Sequence, residues 1–216
     1  MSNSTDLLLH HIKHTISKFP KGFMIYDEGD VSDSVYRLQS GCVRLQVNSA
    51  QGDRQIVQFL LPGDVFGICP TLRNTAAEAV TPVLLERYPL RAVLEEGFAS
   101  PAVASQMLDG ATAAYQELAH HVEKIVHLSA MEKVRDFYEW LNLRLQSAGV
   151  ASRRPPMSQR DIADYLGMAP ETLSRCIRQF LSQRSAARAA RRKAATAAER
   201  DCTGHSGEER LETALP

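Results

Sequence analysis

Apolar and polar residues alternate along the first part of the chain in the way that half-buried β-strands require. The pattern occurs in two segments, through Val43, Leu45 and Val47 and then through Val57, Phe59 and Leu61. Glycines recur every 11 or 12 residues between positions 29 and 63. This rhythm predicts a meander of short strands that forms a β-sandwich or jelly-roll barrel, within a domain of residues 1–99 that begins with a helix.

The periodicity changes to a heptad repeat after Ser100, which predicts a long helix over residues 100–129. Its apolar seam comprises Met107, Ala111, Ala114, Leu118, His121, Ile125 and Leu128. Such a seam of small and medium-sized residues favours parallel packing against a second copy of the chain. Burial of the seam against the chain's own barrel is the competing explanation.

The next segment, residues 130–181, has the helix start and stop signals of a helix-turn-helix. A helix over residues 131–145 comes first, and two prolines after it, Pro155 and Pro156, prevent it from continuing. Ser158 and Asp161 resemble a capping box at the start of a second helix, which Gly167 can close and which Pro170 follows as the opening of a third.

The third helix separates apolar from polar positions, with Leu173, Ile177 and Phe180 facing a core. On the other face, Glu171 can accept from a cytosine amino group and Arg175 can donate two bonds to guanine. The remaining candidates for contact with bases or phosphates are Ser174, Arg178, Ser158, Gln159 and Arg160. A solvated helix face without a partner is the alternative interpretation.

The charge distribution supports a nucleic-acid module in this part of the chain. The formal net charge is zero, but residues 131–193 carry 13 basic and 6 acidic residues, whereas residues 1–130 carry 10 and 14. Positive charge is therefore concentrated where contact with phosphates is predicted.

Two groups of motifs resemble the Crp/Fnr family of transcription regulators. Residues 157–167, MSQRDIADYLG, and residues 171–175, ETLSR, resemble its helix-turn-helix, and the Glu-x-x-Ser-Arg form is similar to the Fnr and FixK branch. Residues 35–41, VYRLQSG, and residues 59–67, FLLPGDVFG, resemble its effector domain.

The resemblance implies an α+β fold with a cyclic-nucleotide-binding-like jelly-roll barrel, a dimerisation helix and a winged helix-turn-helix. It further implies a cytoplasmic homodimer that binds a TTGA-containing palindrome in double-stranded DNA, with RNA polymerase as a partner and Thr172 within the DNA-contacting motif. The expected role is activation of transcription in response to oxygen, redox or nitrogen-oxide status.

The effector region departs from the family pattern. Phe66-Gly67 is followed by Ile68 where cyclic-nucleotide binders usually have Glu, and no arginine stands beside Thr75. Cyclic AMP is therefore not expected. The absence of an N-terminal cysteine cluster excludes the family's iron-sulfur centre from the prediction. We predict no cofactor and no metal site, although a haem could take a ligand from His10, His11, His14, His120 or His121, which are otherwise surface or core residues.

The four cysteines, at positions 42, 69, 176 and 202, form no CxxC pair and are interpreted as reduced thiols. Cys176 stands beside Arg175, where oxidation would place charge or bulk at the DNA. A redox role for Cys176 is therefore one hypothesis, and a small packing residue is the other.

The C-terminal segment, residues 182–216, does not fit the family pattern. Residues 182–210 contain no Val, Ile, Leu, Phe, Tyr, Trp or Met, so they cannot supply the strands of a wing. A shifted reading frame or a replaced tail would explain this composition. The segment is predicted to be disordered or to extend the recognition helix, and its five basic residues between positions 184 and 193 could bind phosphates.

These observations favour a DNA-binding regulator. The alternative is a dimeric sensor or interaction protein whose specific DNA binding is impaired by loss of the wing. No phosphate loop, nucleophile elbow or HExxH motif is present, so an enzyme is not expected, and no apolar run is long enough to span a membrane.

Overall fold

The computed structural model describes residue 9 and residues 11–48, 54–69, 71–150 and 154–204, with the backbone alone over residues 187–189 and 191–204. Eight strands form the N-terminal part: β1 (Thr15–Phe19), β2 (Met24–Tyr26), β3 (Ser34–Ser40), β4 (Val43–Asn48), β5 (Arg54–Leu60), β6 (Val65–Phe66), β7 (Ala76–Ala79) and β8 (Val83–Pro89). Five helices follow: α1 (Leu90–Ala99), α2 (Pro101–His127), α3 (Ala130–Ser147), α4 (Gln159–Leu166) and α5 (Pro170–Gly204). The predicted α+β architecture is confirmed.

The strands form two antiparallel sheets of four strands each, in the orders β1-β8-β3-β6 and β2-β7-β4-β5. A buried apolar cluster that includes Leu38, Val43, Leu60 and Leu85 fills the barrel between them. The turn between β3 and β4 requires glycine at position 41, where φ is +95° and a Cβ atom would lie 2.4 Å from the carbonyl oxygen of Pro82.

The simple alternation predicted for β4 and β5 is wrong in detail. The pairing of these strands shifts register between Leu45 and Gln46, because β5 carries one extra residue there, Val57. In β4, Gln46 is buried and Val47 is only half buried. In β5, Ile56 is buried and Val57 is half buried. The extra residue reverses inward and outward positions in β5 alone, since Arg44 and Gln46 remain on the same face of β4.

Strand β5 is covered on both faces, which also explains why alternation fails there. Leu60 packs inside the barrel, whereas Ile56 and Phe59 join the apolar core of the C-terminal helices. That core continues through Val134, Phe137, Leu141 and Leu145 of α3, which follow the predicted helical spacing. The outer face of β5 therefore belongs to the core of the C-terminal helices, which is separate from the cluster inside the barrel.

Helix boundaries are set by local chemistry. Ser100 caps α2 and is followed by Pro101 at its first position, and a capping box of Ser129 and Glu132 begins α3. Residues 11–14 are not helical, so the helix predicted at the start of the first domain does not reach His14, and His10 lies outside the described residues. The division into segments 1–99, 100–129, 130–181 and 182–216 stays a prediction.

Candidate nucleic-acid interface

Helix α4 and the turn after it have the predicted geometry. The Ser158 hydroxyl oxygen accepts from the Asp161 N–H at 3.1 Å, and the Asp161 carboxylate accepts in return from the Ser158 N–H at 3.2 Å. Gly167 ends the helix in the left-handed conformation, with φ +60°. Ile162, Ala163 and Leu166 are buried. The capping box, the glycine stop and the apolar face predicted from the sequence are therefore present together.

Helix α5 begins at Pro170 and is seated by its apolar face. Leu173, Ile177 and Phe180 are buried in the core shared with α3, and the Phe180 ring lies 5.2 Å from that of Tyr138. This packing fixes the rotation of α5 about its axis, and therefore determines which of its side chains reach solvent.

The opposite face of α5 presents polar and charged groups to solvent. Glu171, Arg175 and Arg178 are exposed, while Thr172 and Ser174 are half buried. A guanidinium nitrogen of Arg175 donates to the Thr172 hydroxyl at 3.4 Å, and Arg178 Nε donates to the Ser174 carbonyl at the same distance. One carboxylate and two guanidinium groups are thus available to an external partner on a single face.

The start of α4 offers a second set of exposed groups. Ser158, Gln159 and Arg160 are all exposed at the helix N-terminus, where unpaired backbone N–H groups and the helix dipole favour an anion such as phosphate. The two predicted sets of contact residues therefore both face solvent.

The long helix α2 divides the predicted seam between two environments. Met107 packs against the barrel side, and His121 stacks on Tyr165 of α4 with ring centroids 4.0 Å apart. Ile125 and Leu128 are half buried, whereas Ala111, Ala114 and Leu118 are exposed. The chain's own barrel and α4 thus cover one edge of the seam.

The exposed apolar stripe of α2 is rotated relative to the predicted seam. It passes through Leu108, Ala111, Tyr115, Leu118, Val122 and Val126. From Leu108 to Val122 these positions follow heptad spacing, and Val126 lies one turn further on. Ala111 and Leu118 belong to the predicted seam, whereas the others each lie one residue beyond a seam position. This stripe is therefore the apolar surface of α2 that the other described residues leave exposed.

Both parts of the chain match known families. Residues 16–96 match the cyclic nucleotide-binding domain, and residues 139–193 match the Crp-like helix-turn-helix domain. Over 171 residues the chain is 35% identical to the nitrogen fixation regulation protein FixK of Rhizobium meliloti (strain 1021), with 79% of this chain and 76% of the relative covered. The chain belongs to the Crp/Fnr family, in its FixK-like branch.

Further relatives agree with this assignment. A nitrogen fixation regulation protein FixK of Bradyrhizobium diazoefficiens is 34% identical over 163 residues, covering 73% of this chain and 68% of the relative. The structure of FixK2 from Bradyrhizobium japonicum superposes with a TM-score of 0.72 and 29% identity, over 80% of this chain and 86% of that one. The chain is accordingly a DNA-binding transcription regulator of the Crp/Fnr type and not an enzyme.

The C-terminal segment differs from the winged form that the resemblance implied. Helix α5 continues without interruption from Pro170 to Gly204, through residues 182–204, which follow the recognition face. The alanine-rich composition of this stretch suits a helix. The match to the Crp-like helix-turn-helix domain nevertheless extends to residue 193.

Inside the family's effector barrel, sequence reasoning overlooked Arg73. Its side chain is buried, lies 4.3 Å from the centre of the Tyr26 ring, and donates to the carbonyl oxygens of Gly67 and Ser34, the latter at 2.6 Å. Two of its nitrogens are thus committed to the backbone, and only Nε has no hydrogen-bond partner among the described residues. The Arg73 guanidinium is thus held by the backbone and by the Tyr26 ring, and the absence of cyclic AMP stays a prediction.

The histidines considered for haem are dispersed. His14 lies before β1, against Tyr88 and 3.9 Å from Glu86, and His120 is exposed on α2. His121 is stacked on Tyr165, and burial lowers its pKa. Within the described ranges, no three His, Cys, Asp or Glu side chains are grouped as a metal site would need.

Cys176 is half buried and packs against the core shared by α3, α4 and α5. It lies next to the exposed Arg175 along the helix, and its redox role stays a prediction. Among the described residues, no helix combines the length and the apolar character that crossing a membrane requires.

Sequence reasoning also missed a cluster of ion pairs that joins the barrel to α4. The guanidinium groups of Arg44 and Arg54 contact the carboxylate of Asp161 at 2.8 and 2.9 Å, and Arg54 also contacts Asp164. More than a hundred positions separate the partners along the chain, and no local pattern connects them. Asp161 was assigned to the capping box alone, and its second role is visible only in the folded chain.

Proposed function

We propose that this chain acts in the cytoplasm as a homodimer that binds a TTGA-containing palindrome and activates transcription through contact with RNA polymerase. The proposed signal is oxygen, redox or nitrogen-oxide status. The FixK-like assignment supports this proposal, because its relatives are named regulators of nitrogen fixation.

The observation that carries the proposal is the exposed polar face at the start of α5. Glu171 and Arg175 are exposed one helical turn apart on a helix whose apolar face is fully seated. A carboxylate that accepts from cytosine and a guanidinium that donates to guanine suit the single G·C pair of TTGA. We assign Thr172, Ser174 and Arg178 to neighbouring base and phosphate contacts.

The phosphate backbone would be held by the start of α4. Ser158, Gln159 and Arg160 are exposed there, next to the helix N-terminus. Contacts of this kind position a protein on the duplex without selecting a sequence. Selection would then rest on α5, and the two sets of residues predict separable effects on affinity and on specificity.

The first test is fluorescence anisotropy of the reduced protein with a TTGA-N6-TCAA duplex and with a scrambled duplex, in about 0.15 M salt. We expect the palindrome to bind at least about a hundred times more tightly, since specific and non-specific complexes of such proteins differ by this much or more. Equal affinities for the two duplexes would contradict the proposal.

The variant Arg175→Ala tests the recognition helix itself. Loss of a bidentate contact with guanine should weaken binding to the palindrome by about 1–3 kcal/mol. Binding to the scrambled duplex should change little. The matched control is Arg91→Ala, which removes an exposed guanidinium on α1, far along the chain from the helix-turn-helix. Unaltered specific binding by Arg175→Ala would show that the recognition face is misassigned.

A second candidate function has its own supporting observation, the continuation of α5 over the residues where the family's wing would follow. In this case the chain would be a dimeric sensor or interaction protein without sequence-specific binding. Its basic residues between positions 184 and 193 would then bind any duplex through phosphates. Equal binding to both duplexes, steeply weakened by salt, is the result that this candidate predicts.

A further inference from the structure

Two arginines of the barrel form ion pairs with carboxylates of α4, the first helix of the helix-turn-helix. Arg44 lies on β4 and Arg54 on β5, while Asp161 and Asp164 lie one turn apart on α4. One carboxylate oxygen of Asp161, Oδ1, accepts from Arg44 at 2.8 Å and from Arg54 at 2.9 Å. Arg54 Nε also donates to Asp164 at 3.1 Å.

Both carboxylate oxygens of Asp161 accept hydrogen bonds, one from the barrel and the other from the helix cap. Its second oxygen, Oδ2, accepts from the Ser158 hydroxyl at 2.7 Å and from the Ser158 N–H at 3.2 Å. Only 7% of the side chain is exposed. The same carboxylate therefore starts the helix and anchors it to the barrel.

The sheet holds Arg44 in place before it reaches α4. Its guanidinium contacts Glu78 on β7 at 2.6 Å, and its Nε donates to Gln46 at 3.0 Å. Gln55, next to Arg54 on β5, donates its side-chain N–H to the Asp164 carbonyl oxygen at 2.6 Å. The barrel thus presents a rigid set of donors at the surface that α4 covers.

Ion pairs between the barrel and α4 affect the orientation of the helix more than the stability of the protein. Removing two charges from water costs about as much as their attraction returns, so a buried pair adds little net stability, but one with a missing partner is costly. The apolar contact beneath them, where the Phe59 ring lies 5.2 Å from the Tyr165 ring, is by comparison tolerant of sliding and rotation. The arginine pairs therefore select one orientation of α4.

Helix α4 is also tied to α2, which carries the exposed apolar stripe. His121 of α2 stacks on Tyr165 of α4, and Lys124 of α2 contacts Asp136 of α3 at 2.9 Å. In a dimer formed through α2, the orientation of α4 would consequently set the distance between the two recognition helices.

The proposed DNA-contacting groups stay accessible in this arrangement. Glu171 and Arg175 on α5 and Gln159 and Arg160 on α4 are all exposed while Asp161 is held by the barrel. The ion pairs therefore do not cover the proposed DNA surface.

We propose that Arg44 and Arg54 are positioning residues for DNA binding, which act through Asp161 and Asp164 to set the spacing of half-sites that the dimer accepts. This inference rests on the proposed function, because it assumes a dimer that binds two half-sites. It assigns to the barrel a direct part in site selection that does not require a bound effector.

The test compares wild type with Arg54→Gln, Asp164→Asn and the double variant on palindromes with five, six or seven base pairs between the half-sites. Wild type should bind one spacing about tenfold or more tightly than the others. Each variant should show a preference of about threefold or less, because the orientation of its two recognition helices is no longer fixed. The double variant should resemble Arg54→Gln, because Asp164→Asn removes one of the two contacts that Arg54→Gln already removes. Affinity for a scrambled duplex should not change.

The control variant is Arg91→Gln, which breaks an exposed ion pair with Glu95 on α1 and should keep the wild-type spacing preference. Asp164→Asn is the milder of the two interface changes, because 23% of the Asp164 side chain is exposed. It preserves a folded test protein if Arg54→Gln does not fold. A wild-type preference that survives in Asp164→Asn would overturn the proposal, and so would specific binding by wild type without any spacing preference.

Amide hydrogen exchange without DNA gives an independent readout. In Arg54→Gln and Asp164→Asn, residues 159–166 should exchange faster than in wild type, while β3 and β8 should not change. Unchanged exchange over α4 would overturn the proposal. If wild type does not distinguish the palindrome from the scrambled duplex, the proposed function fails, and the exchange result then decides alone whether the arginines hold α4.

Discussion

Cys42 and Cys69 occupy contrasting environments in the same barrel. Cys42 is fully buried between β3 and β4, and burial, together with the carboxylates of Asp161 and Asp64, raises the pKa of its thiol to about 12. Cys69 is partly exposed, and hydrogen bonds from the backbone and hydroxyl of Thr71 lower the pKa of its thiol. The two thiols therefore differ both in access and in thiolate fraction.

Alkylation by iodoacetamide at pH 7.5 should consequently distinguish them. We expect Cys69 to react at least about a hundred times faster than Cys42 in the native protein, because the thiolate is the reactive form. Mass spectrometry of the digested protein measures the two rates separately. Denaturation in urea provides the control, since it should bring the rates within about threefold of each other. Similar rates in the native protein would contradict the assigned environments.

Residue patterns predicted the buried face of α5 more successfully than the surroundings of α4. Leu173, Ile177 and Phe180 are buried because helical spacing places them on one side, and this follows from local sequence. The partners of Asp161 do not follow from it, since Arg44 and Arg54 reach this carboxylate only when the barrel folds against α4.

At the scale of elements, helix α4 depends on its cap to an unusual degree. It is only eight residues long, and its first turn is held by the reciprocal bonds between Ser158 and Asp161. Short helices are marginal without tertiary support. The same Asp161 carries the contacts with the barrel, so loss of the cap should also disturb that interface.

The variant Ser158→Ala should lower the free energy of unfolding by about 0.5–2 kcal/mol, the usual cost of losing an N-cap oxygen. Urea denaturation followed by circular dichroism measures the change. Ser182→Ala on α5 is the matched control, because that hydroxyl is exposed and donates to the carbonyl oxygen of Gln179 one turn earlier, and its effect should stay within about 0.5 kcal/mol. Equal effects of the two variants would show that the capping box adds no stability.

At the scale of the whole molecule, the exposed stripe of α2 is the largest apolar feature of that helix without a partner among the described residues. Tyr115 is 72% exposed and Leu118 is 49% exposed. The heptad spacing of the stripe suits a parallel pair of helices about a two-fold axis. We therefore propose this stripe as the dimer contact. It shares Ala111 and Leu118 with the predicted seam, which also runs through Met107 and His121.

The variant Leu118→Glu should convert the dimer to a monomer, since it places two carboxylates against each other at the centre of the contact. Size-exclusion chromatography with light scattering measures the mass. Ala113→Glu introduces the same charge at an exposed position that faces away from the stripe, and this control should remain dimeric. A dimeric Leu118→Glu protein would show that the subunits meet elsewhere.

The order of the elements, the capped α4, the glycine turn and the buried face of α5 follow from the sequence alone, because each depends on contacts within a few residues. The register of β4 and β5 depends on the folded chain, where the C-terminal helices cover the outer face of β5 and the simple alternation no longer applies. The folded chain also determines which edge of α2 remains exposed and which arginines hold Asp161. These features depend on groups far apart along the chain, which no local periodicity can bring together.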